Sequence, residues 1–69
     1  MNVLVNGEPR ELSADATVAT VVAELQADRP ARGVAVAVDG EVVRRADWDV
    51  TALVAGARVE VLGAIGGGR

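Results

Sequence analysis

The sequence has no cysteine, histidine, lysine, tyrosine or phenylalanine, and Ser13 is its only serine. Each gap closes off a chemistry. Without cysteine there is no disulfide, no thiol nucleophile and no zinc–thiolate cage. Without histidine there is no Ser-His-Asp triad, and the usual proton carrier near neutral pH is missing. Without lysine there is no Walker-type phosphate loop and no Schiff base. The positive charges are seven scattered arginines and Trp48 is the sole aromatic, so the chain offers nucleic acid neither a basic stripe nor a stacking platform. No apolar run reaches the length of a membrane span, and the first residues do not read as a signal peptide. The expected location is cytoplasmic, with no nucleic-acid and no membrane partner.

What is present fits one small domain. The chain has 69 residues and a mass of 7.0 kDa, too little for a second domain or a deep catalytic cleft. Valine, leucine and isoleucine supply twenty of those residues, above the content at which charged chains stay disordered. The ten acidic residues, against seven arginines, give a net charge of −3. They are spread along the chain and read as solvated surface charge, so a free-standing enzyme is not expected.

The hydrophobic pattern places the elements. Val3-Leu4-Val5 is a short strand closed by Asn6-Gly7, a dipeptide suited to the positive φ angles of a tight hairpin. The return strand is expected over Pro9–Ser13, at a sheet edge because Pro9 has no N–H to donate. Val18, Val21, Val22 and Leu25 then follow the spacing of a helical stripe. Thr17 is the expected N-cap, Asp15 the second candidate, and Asp28-Arg29-Pro30 the expected stop. Val34, Val36 and Val38 alternate with alanines as in a strand, and Asp39-Gly40 turns the chain into Glu41–Arg44. Asp47-Trp48-Asp49 reads as a turn or a single helical turn, with Trp48 anchored on the core and Leu53 and Val54 packing nearby. Arg44 and Arg45 are expected in solvent. Val59–Leu62 is the last strand, introduced by Gly56. The order predicts an α+β fold: a mixed sheet of four or five strands, one main helix on one face, and first and last strands central and parallel. Val59 and Val61 share a face, so Leu62 points to the opposite, helix-free one and with Ile65 is expected to form an apolar patch.

The unusual feature is the end of the chain, Gly66-Gly67-Gly68-Arg69. A glycine run buries no side chain and loses much backbone entropy when fixed. It suits an arm that enters a narrow site on another protein, and four extended residues reach roughly 13 Å.

Taken together, the opening Val-Asn-Gly hairpin, Thr17-Val18 and Val34–Asp39 match a known pattern. So do Val43-Arg44-Arg45-Ala46-Asp47-Trp48, the Gly56 turn and Val59–Leu62 leading to Ala64-Ile65-Gly66-Gly67-Gly68. Over its whole length the chain resembles the ThiS family, the sulfur carriers of thiazole formation in thiamine biosynthesis. The resemblance implies a ubiquitin-like β-grasp domain over residues 1–65 and a flexible tail over 66–69. It implies a Gly67-Gly68 carboxylate that a ThiF-type enzyme adenylates with ATP. A sulfur-transfer protein would convert it to a thiocarboxylate, and a ThiG-type thiazole synthase would consume the sulfur. No cofactor is implied on the chain itself. Leu62, Ile65 and Arg45 become candidate partner contacts. Related carriers for molybdopterin, cysteine or a thio-metabolite, and ubiquitin-like modifiers, share the tail logic. The chain departs from the family at Ala57, where aspartate is usual, and at Arg69, which follows the glycine pair. Activation at Gly68 then implies either a peptidase that removes Arg69 or an arginine foreign to the mature protein.

Overall fold

A computed structural model describes residues 1–25 and 33–63. The elements are β1 (Asn2–Val5), β2 (Glu8–Glu11), α1 (Val18–Leu25), β3 (Val34–Val38), β4 (Glu41–Val43), a 3₁₀ helix (Arg45–Val50) and β5 (Arg58–Gly63). The strands form one five-stranded sheet in the order β2-β1-β5-β3-β4. β1 and β5 are parallel, in the register Leu4 to Arg58 and Val5 to Val59. The other pairings are antiparallel. The expected mixed sheet, with its first and last strands adjacent and parallel, is therefore present.

Both hairpins form where expected, and their turn residues have the required backbone. Asn6 and Gly7 have φ of 51° and 85°, and Asp39 and Gly40 have φ of 50° and 88°. Two consecutive positive φ values give the turn whose twist matches the flanking strands. β2 is an edge, as Pro9 required, but it ends at Glu11 and not at Ser13. Leu12 drops into the core, and its N–H donates to the Met1 carbonyl at 2.7 Å. At the other edge, β4 stops at Val43, one residue before the expected Arg44.

The core is built mostly from valine. Val3, Val5, Val36, Val59 and Val61 of the sheet meet Val18, Val21 and Val22 of α1, with Leu12, Leu53 and Trp48 closing the sides. Leu25, the fourth member of the helical stripe, is half-buried against this cluster. Branched side chains lower intrinsic helix propensity, so α1 depends on burying its stripe. Its N-terminus is capped in the reverse sense to the one expected. The Thr17 N–H donates to the Thr20 hydroxyl at 3.1 Å, the returning half of a capping box. Asp15 takes no part in this cap and accepts the Ser13 hydroxyl at 2.9 Å. The expected helix stop, Asp28-Arg29-Pro30, lies outside the described residues.

Trp48 sits on the 3₁₀ helix at 6% exposure, and its indole N–H donates to the Val43 carbonyl at 3.0 Å. The sole aromatic is therefore a core anchor with its polar atom satisfied. Leu53 is buried as expected, whereas Val54 is 65% exposed. The reason is local: Ala52 bridges to Thr17 in extended conformation, so neighbouring side chains alternate and Val54 faces outward.

Gly63 ends β5 at a φ of 136°, opposite Val34. A Cβ there would overlap the Gly33 carbonyl, so any other residue forces the backbone at this strand end to shift.

Two stability predictions follow from this packing. Val22→Asp places an unpaired charge among Val18, Val21 and the sheet valines, a cost of about 4 kcal/mol or more. A domain this size holds only roughly 0.05–0.15 kcal/mol per residue. The variant should show no cooperative thermal transition by far-UV circular dichroism, and a wild-type melt would contradict the placement of α1. Gly63→Ala should lower unfolding free energy by about 1–3 kcal/mol in urea titrations, with the fold retained.

Candidate functional site

The end of β5 is the part of the fold from which the glycine run departs. Ile65, Gly66, Gly67, Gly68 and Arg69 lie outside the described residues; the body that presents them does not. β5 is the middle strand of the sheet, flanked by β1 and β3. On the β3 side its pairing continues to the strand's last residue, with Val36 opposite Val61, Ala35 opposite Leu62 and Val34 opposite Gly63. On the β1 side, backbone pairing stops at Val59, whose carbonyl accepts the Asn6 N–H at 2.9 Å.

Beyond that point the Asn6 side chain takes over. Its Oδ1 accepts the Val61 N–H at 2.9 Å, and its Nδ2 donates to the Val61 carbonyl at 3.3 Å. The sequence marks Asn6 only as a turn residue. A contact spanning 55 positions leaves no local signal beyond the choice of asparagine at a site that glycine or aspartate also tolerates.

Leu62 is 67% exposed and lies on the sheet face opposite the core, as strand parity predicts. Its cross-strand neighbour Ala35 is exposed on the same face. Two register positions away, Glu60 faces Ala37, which in turn faces Val42, itself largely exposed. Small alanines at the centre keep this face shallow, with Leu62 and Val42 as its protruding apolar groups. A polar margin borders it. Asp39, Gly40, Arg58 and Glu60 line an open depression there. The Asp39 carboxylate accepts the Arg58 N–H at 3.0 Å and the Asp39 N–H donates to the Arg58 carbonyl at 2.8 Å, tying the β3–β4 turn to the start of β5.

Arg45 stands elsewhere. It opens the 3₁₀ helix, which packs against α1, and it is exposed, as is Arg44. Among the described residues the ion pairs are Met1 N-terminus to Glu11 at 3.3 Å and Arg10 to Glu24 at 3.4 Å, both with exposed carboxylates. Neither involves the β5 end, and such surface pairs contribute little. Among the described residues no three acidic side chains gather as a metal site would need, and no helix is long and apolar enough to cross a membrane. The arrangement is a strand end, paired with β3 to its last residue and hydrogen-bonded to Asn6 on the other side, beside an apolar face.

The comparisons agree with this geometry. The model of the ThiS family matches residues 3–68. No curated protein matches the chain. A crystal structure of the thiamine biosynthesis protein ThiS from Geobacter metallireducens is similar at 32% identity, covering 91% of this chain and 93% of that one, with a TM-score of 0.78. The five-stranded mixed sheet with one helix is thus the ubiquitin-like β-grasp, and the chain belongs to the ThiS family.

Proposed function

We propose that this chain is a sulfur carrier for thiazole formation in thiamine biosynthesis, acting as a protein cosubstrate and not as an enzyme. The observation that carries the reading is the family match, which runs through the glycine pair to Gly68. The chemistry follows from a carboxylate at Gly68. A carboxylate resists attack until it bears a leaving group. One of its oxygens attacks the α-phosphorus of ATP held by a ThiF-type enzyme, and pyrophosphate leaves. Sulfur delivered by a sulfur-transfer protein at the hydrosulfide level then attacks the acyl carbon and displaces AMP, leaving a thiocarboxylate. If it arrives as a protein persulfide, the acyl disulfide first formed is cleaved by a partner's thiol, which is oxidised to a disulfide as the thiocarboxylate leaves. Its sulfur is a soft nucleophile that a ThiG-type synthase can use. Every bond that changes is at the terminus or on a partner, which suits a chain without cysteine, histidine or lysine. The chain uses ATP only through its partner and holds no cofactor of its own.

In this reading residues 1–65 are the part that docks and residues 66–69 the part that reaches. The exposed Leu62 beside Ala35 supports a contact there with the activating enzyme, extended by Ile65. Arg45, in solvent on the 3₁₀ helix, is a second, separate candidate contact. Leu62→Asp should melt within a few degrees of wild type, because the side chain is already in water. It should raise the KM for the carrier in adenylation about tenfold or more. An unchanged KM would move the docking surface elsewhere.

Arg69 decides whether the chain as written is a substrate. The family match ends at Gly68. One further residue advances the terminus by roughly 3.5 Å and brings a permanently charged side chain into a channel shaped for glycine. A misplacement of 1 Å can cost on the order of 100-fold in rate. The proposed route is removal of Arg69 by a peptidase before activation. The experiment compares the 69-residue chain with one ending at Gly68, using purified ThiF-type enzyme, ATP and a pyrophosphate-release assay. The shorter chain should turn over at least about 100-fold faster. Equal rates would show that activation tolerates the arginine and that no processing is needed.

A further inference from the structure

In the parallel pair, the N–H groups of Leu4 and Asn6 donate to the carbonyls of Ala57 and Val59, both at 2.9 Å. Were β1 to continue, the Asn6 carbonyl would take the Val61 N–H, and the amide of residue 8 would serve the Val61 carbonyl. Gly7 turns the chain away to β2 instead. The Asn6 carboxamide fills both vacant places with one group, accepting at 2.9 Å and donating at 3.3 Å. It has the donor–acceptor pair of a peptide unit, so it acts as one more residue of strand.

This use explains why the position holds asparagine. Glycine would satisfy the turn but offers no side chain. Aspartate also tolerates positive φ and could accept the Val61 N–H, but ionised it cannot donate to the carbonyl and would face it with like partial charge. Asparagine alone meets the turn and both hydrogen bonds.

The consequence falls on the tail. Two residues beyond Val61, β5 ends at Gly63, held by the ladder on the β3 side alone. The Asn6 clasp adds the opposing restraint, so the strand cannot pivot about β3. We propose that Asn6 is a positioning residue for the carrier's terminal chemistry: its side chain fixes the direction in which β5 delivers the tail to the activating enzyme. This rests on the sulfur-carrier reading for its functional consequence, and on the described geometry alone for the restraint itself.

Asn6→Gly removes the clasp and keeps the turn; Asn6→Asp keeps the turn and the acceptor but loses the donor. Both are compared with wild type below the melting temperature of the least stable form, as isotope-labelled protein for NMR. In Asn6→Gly the Val61 amide should exchange with solvent at least about tenfold faster, and the order parameters of Leu62 and Gly63 should fall. Asn6→Asp should lie between. With the ThiF-type enzyme, using whichever chain end it accepts, Asn6→Gly should lower kcat about tenfold or more. Its KM should stay within about threefold, since the open sheet face is kept. Unchanged order parameters at Leu62 and Gly63 would overturn the restraint. Looser NMR parameters with an unchanged kcat, or a change in KM alone, would reduce Asn6 to a structural role and overturn the proposal. If wild type is not adenylated with either end, the sulfur-carrier reading fails, while the NMR comparison still decides the restraint.

Discussion

The parallel pairing of β1 with β5 is the interaction on which the molecule depends. It joins Leu4 to Arg58 and Val5 to Val59, residues more than fifty positions apart, and places the last strand in the middle of the sheet. Everything else attaches to that pair. β2 hangs on one side as a hairpin, β3 and β4 on the other, and α1 covers the face where Val3, Val5, Val59 and Val61 line up. Parallel pairs need a long crossover, and the connection from β1 to β5 takes in β2, α1, β3, β4 and the 3₁₀ helix. A core made mostly of valine is shallow, which leaves the closure of its sides to Trp48, Leu12 and Leu53.

The fold was largely legible because its signals are local. Asn6-Gly7 and Asp39-Gly40 announce positive φ at adjacent residues, and both turns have it. The Val18, Val21, Val22 stripe marks a buried helix face, and alternation along β5 places Leu62 outside. The failures come from tertiary context. Leu12 ends β2 early because a core position competes for it. Val54 was expected near the core beside Leu53, yet extended backbone sends adjacent side chains to opposite sides. Thr17 stands at the cap, but the hydroxyl that makes the bond belongs to Thr20. Of the candidate site, exposure at Leu62 was readable from parity. The double hydrogen bond from Asn6 to Val61 was not, since nothing near Asn6 in the chain refers to β5.

Under the sulfur-carrier proposal, a division of labour between body and tail would account for the poverty of the side-chain repertoire. A domain that presents a terminus needs stiffness where the strand ends and a surface for recognition, and neither asks for a nucleophile or a proton shuttle. At the end of β5 the ladder to β3 and the Asn6 side chain would supply the first, and the sheet face left uncovered by α1 the second. Residues that look unchemical, Ala35, Leu62 and the turn asparagine Asn6, pair with or belong to the last three residues of β5.

The central position of β5 also governs how the chain acquires its structure. The middle of the sheet is the last of the described strands to leave the ribosome, so the β1–β2 hairpin and α1 must wait with their apolar faces uncovered until Arg58–Gly63 emerges. Closing a loop of that length before any sheet contact rewards it is a kinetic burden typical of non-local topologies. A nascent chain stalled or cleaved short of β5 would hold two hairpins with no strand to join them, a species exposed to strand-edge association. Among the described strands, the core of the sheet closes only when β5 arrives.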